Sequence, residues 1–461
     1  MYSYLPKLGA AVLFSFLALS GCALGPEHSR PNLDLPEQWK PGTADSGAVR
    51  NHWWELFQDP TLDALVDRAL SHNHDLELAM ARVEEARARL GIARSAQLPL
   101  AGIQAGAARG ETGGTDLSAS YETEGSISFT IDLWGKYRRA TEAARARLLS
   151  TEAAYRTVGL SVAGDTARAY FLLLSIDQQL ETAHSTLKAR RRTEELYRSR
   201  YKEGLSGEFE LRQSEVETTT AMAQVQSLEI ARVQTETALG VLIGQSPRQL
   251  LEERIARPLS LDKVNVPELV PAGLPSGLIA RRPDIMQAEQ ELHAATADIG
   301  VARAAFFPDL SLTGVFGWAS SEFDRLIMTG ASHWSVGANV LQPVFQGGKL
   351  FAELEAANAR QKAAYAGYAK VVQNAFREVH DSLTANRITR ERLKTIQTQV
   401  TKLRRAMELA NLRYTGGQTG FLEVLDAQRA LFNAEMELAR AHQAQLDAAA
   451  TLYQVLGGGW Q

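Results

Sequence analysis

Cys22 is the single thiol in a chain of 461 residues, so any sulfur chemistry happens there and no intrachain disulfide can form. It follows Leu19-Ser20-Gly21, at the end of a short apolar run from Leu8 to Leu19. Within a core, a lone thiol would be inert packing; behind a secretory leader, it is a nucleophile open to acylation. The other groups able to do chemistry are scattered. Nine His occur without an HExxH pair, and His72-Asn73-His74 sets two imidazoles at i, i+2, off any one helix face. Neither a phosphate loop nor a nucleophile elbow occurs, and Gly457-Gly458-Gly459-Trp460 reads as a helix-ending tail. The seven Met are dispersed, with no cluster suited to a soft metal. No enzyme, metal or cofactor is expected.

Residues 1–21 read as a signal peptide: Lys7 gives a weak positive region, and the apolar run is too short to span a bilayer comfortably. Leu19-Ser20-Gly21-Cys22 resembles the bacterial lipoprotein processing box. That likeness implies cleavage before Cys22, a diacylglycerol on its sulfur and an acyl chain on its new amino group. Each buried methylene contributes ~0.8 kcal/mol, so several chains on one residue anchor firmly. Ala23, not Asp, follows, which in lipoproteins of this kind favours the outer membrane. Pro26, Pro31, Pro36 and Pro41 recur every five residues and favour an extended, lipidated tether over residues 22–50. A net charge of −4 without a basic block argues against a nucleic-acid partner.

The elements behind these residues come in duplicate. Arg200/Arg413, Tyr201/Tyr414, Gly204/Gly417, Gly207/Gly420 and Glu210/Glu423 are identical at an offset of 213 (413 − 200). Earlier, Asp75/Asp284, Gly91/Gly300, Arg94/Arg303 and Pro99/Pro308 match at 209 (284 − 75). Residues 51–257 and 276–461 are thus two repeats, joined by a Pro-rich linker at 258–275. Each reads as helix, strand, strand, long helix, second helix.

The strands are expected at about 100–109, 123–133, 309–319 and 334–344. Ile127, Phe129, Ile131 and Leu133 alternate with Ser126, Ser128, Thr130 and Asp132; Leu310, Leu312, Phe316 and Trp318, then Trp334, Val336, Ala338 and Val340, form further apolar faces. Gly110 to Ser120 and Ser320 to Ser332 read as exposed hairpin loops. No Pro interrupts residues 100–246 or follows Pro343, so Lys349 to Leu412 can be one helix of ~95 Å. Along it Leu393, Ile396, Val400, Leu403, Met407, Ala410 and Tyr414 alternate spacings of 3 and 4, the mark of a coiled-coil seam. An ordinary amphipathic helix on a globular core would be much shorter.

Four strands with one apolar face have two destinations. They can pack as a half-buried sheet in a soluble sandwich. In a membrane they must close a barrel, because lipid offers no hydrogen bonds to a free edge, and barrels start at about eight strands. The second destination demands several copies. A lipidated coiled coil without a pore would share the helices but needs no paired hairpins.

Six segments together resemble the outer-membrane factor (TolC-like) family of tripartite efflux systems, in its OprM-like lipoprotein branch. They are WWELFQDPTLDALVDRAL (53–70), IDLWGKYR (131–138), YKEGLSGEFELRQSE (201–215), PAGLPSGLIARRPDI (271–285), IGVARAAFFPDLSLTG (299–314) and RYTGGQTGFLEVLDAQRAL (413–431). The resemblance implies a mixed α and β membrane protein, a homotrimer whose twelve strands close one β-barrel in outer-membrane lipid. That barrel would continue into a periplasmic α-helical coiled-coil barrel. It also implies a passive, gated channel working with a periplasmic adaptor and an inner-membrane pump, as in multidrug resistance, with drugs, metals and polypeptides all open as substrates. In such a family the periplasmic end is closed by polar and charged residues. Carried onto this chain, these are Leu422, Glu423, Asp426 and Arg429 in FLEVLDAQR and Glu210 and Arg212 in FELRQ. Leu422 would form an apolar constriction and Asp426 an acidic ring; Glu423 and Glu210 stand where a relative has Asp. Asp426 and Arg429 are also simply three apart on a helix, where an exposed pair is worth only tenths of a kcal/mol.

Overall fold

The structure, a computed structural model, describes residues 23–36, 51–112, 115–267, 275–328 and 330–458. The signal peptide, Cys22, the later part of the tether, much of the 258–275 linker and Trp460 lie outside them. Helices α1 (Pro60–His72) and α2 (His74–Ser95) precede strands β1 (Leu100–Thr112) and β2 (Thr115–Ile131). Long helices α3 (Lys136–Lys202) and α4 (Glu208–Leu242) follow, then the short α5 (Pro247–Glu252) and α6 (Pro275–Arg281). The order then repeats: α7 (Pro283–Ala304), β3 (Asp309–Ser320), β4 (Ser332–Leu341), α8 (Lys349–Thr415) and α9 (Phe421–Val455).

Corresponding helices have equal lengths: α2 and α7 span 22 residues, α3 and α8 67, and α4 and α9 35. Local signals set the ends. Asp59 caps α1 by accepting from the backbone N–H of Thr61 at 2.9 Å, with Pro60 at the first helical position. Asn73 is buried and caps α2 through the N–H of Asp75 at 2.8 Å, while His72 and His74 on either side are exposed. Glycines in the left-handed region recur at matched positions, Gly135/Gly348 and Gly244/Gly457 among them.

The compact units of the chain are not its two repeats. One comprises Met1–Leu33, Ala81–Ala153 and Met286–Val371; the other comprises Asp34–Met80, Ala154–Ile285 and Val372–Gln461. Each unit draws on both repeats, because strands pair, and helices pack, with their counterparts from the other half.

In the first unit the strands form one antiparallel sheet in the order β1-β2-β3-β4. Several strand boundaries differ from expectation, most of all at the β1–β2 hairpin and at the end of β4. Pairing of β1 with β2 continues from Leu100↔Ser128 to Gly110↔Ser118 and Thr112↔Thr115, through most of the stretch read as a loop. Hydropathy marks the apolar zone of a strand, whereas backbone pairing carries on through Ser, Thr and Gly beyond it. β4 stops at Leu341, ahead of Pro343, which has no N–H to offer a ladder.

The second unit holds two apolar seams. Ile176, Leu180, Ala183 and Leu187 of α3 pack with Ala221, Val225 and Leu228 of α4 and Met436 of α9. Leu393, Ile396 and Val400 of α8 pack on Ala434 and Ala441 of α9, with Leu403 partly buried beside them. The expected seam therefore faces a helix of the same chain. At the aromatic start of this unit, the fully buried Trp53 stacks on Tyr453 at 5.8 Å, and Tyr170 donates to Asp59 at 2.7 Å. Burial, and then the bond to Asp59, pushes the Tyr170 phenol above its ordinary pKa.

Candidate functional site

The register puts the large apolar side chains predicted for the paired strands on one face, except Leu133, which lies beyond the end of β2 at Ile131. Phe129, Leu312 and Ala338 lie side by side across β2, β3 and β4, as do Ile131, Leu310 and Val340, and so do Gly125, Phe316 and Trp334. This face is open: Trp334 is 74% exposed, Val336 79% and Ile103 88%. A water-soluble sandwich would bury it. The opposite face carries Gln104, Glu124 and His333 in one row and Thr130, Ser311 and Asn339 in another. Glu124 reaches His333 at 3.8 Å across Gly317, where a Cβ would meet that of Glu124 at 2.7 Å. Strands β1 and β4 are the two edges, each with one neighbour among the described residues.

The second candidate region is the pair of turns joining α3 to α4 and α8 to α9. Both are closed the same way. Gly204 and Gly417 each take φ +73°, and the N–H groups of Leu205 and Gln418 reach back to the carbonyls of Arg200 and Arg413 at 2.8 and 2.9 Å. The side chains around them then diverge. Arg413 donates to Glu423 at 2.7 Å, and Thr419 also donates to that carboxylate. Its repeat partner Arg200 instead donates to the Tyr414 hydroxyl at 3.2 Å. Tyr414 and Tyr197 share a hydrogen bond of 2.8 Å, and Phe421 packs on both rings. Burial first, and then the Tyr414 bond, raises the Tyr197 phenol above its ordinary range.

The predicted gate residues have separate surroundings. Leu422 is half-exposed. Glu210 folds back to the start of its own helix, its carboxylate 2.8 Å from where a Cβ on Gly207 would stand. There the helix dipole favours an anion. Arg212 does not bridge helices: it pairs with Glu208 at 3.1 Å and Glu215 at 3.0 Å on α4 itself. Exposed Asp426 lies 3.7 Å from Arg429, but that is the minor contact of the arginine. Arg429 binds Glu217 twice, through Nε at 2.7 Å and through a second nitrogen.

Glu217 was not among the expected residues. It is buried on α4 and also takes Arg190 of α3 at 3.0 Å, so one carboxylate joins three helices. Arg190 donates besides to the Glu217 carbonyl at 2.9 Å and lies over the Phe432 ring at 5.5 Å. Burial lowers the Arg190 pKa against the pull of Glu217, while the hydrogen bond to Glu217 raises that of Arg429. A signal for this cluster was present. Arg190 continues the seam Ile176-Leu180-Ala183-Leu187, and Arg429 falls in the run Leu425-Arg429-Phe432-Met436. Both are polar residues at core positions of a heptad.

A family profile described as outer membrane efflux protein matches residues 65–245 and again 274–458, one match in each half. The solvent efflux pump outer membrane protein SrpC of Pseudomonas putida is 35% identical over 98% of this chain and 99% of its own length. The cation efflux system protein CusC of Escherichia coli O6:H1 is 33% identical over 96% of this chain and 97% of its own. The crystal structure of the Campylobacter jejuni CmeC outer membrane channel superposes with a TM-score of 0.90 at 26% identity, covering 95% of this chain and 96% of that one.

Proposed function

The chain belongs to the outer membrane efflux protein family, and from that premise we propose how copies of it build and gate a duct. It is an outer-membrane channel of an efflux system that extends into the periplasm, and not an enzyme. In the proposed assembly three copies join β1 to β4 of the next, so that twelve strands close one barrel. The observation that carries this reading is the four-stranded sheet with an uncovered apolar face and two open edges. In lipid each unpaired N–H or C=O costs several kcal/mol, which a second copy removes. The polar face then lines water.

The helices of the three copies continue as an α-barrel that receives cargo from a periplasmic adaptor and an inner-membrane pump. Relatives of comparable similarity are named for solvents and for cations, which supports a duct that leaves selection to the pump. Cys22, cleaved and acylated, tethers each copy to the outer membrane. At the glycine-turned ends, Leu422 and the rings of Glu423 and Asp426 narrow the path, and contacts between helix pairs hold it narrow. Of these contacts, Tyr197–Tyr414 and Arg429–Glu217 cross from one helix pair to the other. Glu210 and Arg212 shape the turn from within α4.

Conductance of purified protein in planar bilayers tests both parts. Asp426→Ala combined with Arg429→Ala raises single-channel conductance. The single variants apportion the effect: most comes from Arg429→Ala, whereas an exposed pair such as Asp426–Arg429 contributes at most about 1 kcal/mol. Unchanged conductance in the double variant removes both residues from the gate, and absence of any channel removes the duct.

A further inference from the structure

Residues 23–33 form neither helix nor strand, yet they are fixed along the first unit by a series of contacts. The Leu24 N–H donates to the Trp134 carbonyl at 3.2 Å, and the Leu24 carbonyl accepts from Arg139 Nε at 3.2 Å. Gly25, in the left-handed region at φ +109°, lies so close to α7 that a Cβ there would stand 2.5 Å from Gly300 Cα. Arg30 grips Glu289 with two nitrogens at 2.8 and 2.7 Å. Between these points His28 lies flat on His293, ring centroids 4.5 Å apart and planes within 13°.

We propose that His28, stacked on His293, is a proton-operated clasp that holds residues 23–33 against α3 and α7 and loosens as the surroundings acidify. Two neutral imidazoles stack without penalty, whereas two imidazolium ions at this spacing repel. His293 Nε2 meets Glu142 Oε1 at 2.9 Å, and Glu142 also receives Arg139 at 2.8 Å. A proton taken up by His28 must then be held flat against that ring and near Arg30. The other charges facing His28 are Glu289 of α7 and Arg30 of the strap; Glu289 and Glu142 favour its proton, Arg30 and His293 oppose it. Tyr368 of α8 interacts with Arg30 and Glu289 rather than with the ring stack.

Burial first, and then His293, lowers the His28 pKa in the docked strap. The free strap therefore binds the proton more tightly than the docked one. Docking is at full strength above the ordinary imidazole value of ~6.5 and is lost as pH falls through the lower, docked value. Burial works against the Glu142 carboxylate, but its bonds from His293 and Arg139 hold it below the usual carboxyl range, so it stays ionised through this window.

Hydrogen exchange of the strap in the full-length protein, corrected for the intrinsic effect of pH, tests the clasp between about pH 7.5 and about pH 5. Protection of the Leu24 amide is expected to fall by up to about tenfold per pH unit within the window, as one proton dictates. His28→Phe keeps a flat ring but cannot titrate, and its strap protection stays level; His293→Phe removes only the second cause, so its slope is reduced but not abolished. Protection around Trp53 reports that each variant is folded. A wild-type strap equally protected at both ends of the range overturns the proposal, as does a His28→Phe strap that loosens as steeply as wild type.

Discussion

Glu217→Ala is expected to free the helix ends and to raise channel open probability more than any other single substitution at the turns. Removing the carboxylate leaves Arg190 buried beside Arg429 with nothing between them. Stripping one partner from a fully buried ion pair costs about 3–5 kcal/mol. Here Arg429 is 42% exposed and water screens part of that, so about 2–3 kcal/mol is the appropriate range. Every 1.4 kcal/mol is a factor of ten, so the balance between joined and parted helices shifts by roughly 30- to 150-fold. Because the three residues sit on α3, α4 and α9, no separation of those helices leaves the cluster intact. Glu217→Gln keeps the shape and one acceptor oxygen and should fall between the two. Bilayer recordings together with thermal melting decide the matter: unchanged opening in Glu217→Ala shows that the cluster is packing alone.

Trp53→Ala should be the most damaging substitution for stability, at about 3–5 kcal/mol. Its indole is fully buried, parallel to Tyr453 within 5°, and edge-on to Trp54 and Phe57 at 5.8 and 6.1 Å. Such a volume cannot be refilled by neighbours already packed on each other. Trp53→Phe should recover much of the loss, since the indole N–H has no acceptor among the described residues and no hydrogen bond is forfeited. Chemical denaturation followed by helical signal reads both variants. A Trp53→Ala protein as stable as wild type would show that this aromatic cluster is dispensable.

The periodic parts of the fold were legible, and for a plain reason. A side-chain period of two put Phe129, Leu312 and Ala338 on one face, and the register bears that out. Proline-free runs with alternating 3 and 4 spacing gave α8 and its seam, now seen against α9. What failed was what periodicity does not encode. The polar stretch after Gly110 has the composition of a loop but the pairing of a strand. Family likeness named Arg212 but not its partners, which are Glu208 and Glu215 on its own helix. Glu217 escaped because the repeat gave no warning of it: 213 residues on (430 − 217) stands Ala430. Duplication draws attention to what the halves share, whereas this cluster exists only where they differ. The strap contacts of His28 and Arg30 depend on partners more than 250 residues away, beyond the reach of any local pattern.

The unpaired margins of the sheet have a genetic corollary. In a closed ring each copy completes two others, so a subunit whose β1 or β4 cannot pair disables the neighbours it recruits as well as itself. Alleles that spoil either margin while leaving the helices able to associate should therefore be dominant over a wild-type copy in the same cell, whereas outright loss of the chain should be recessive.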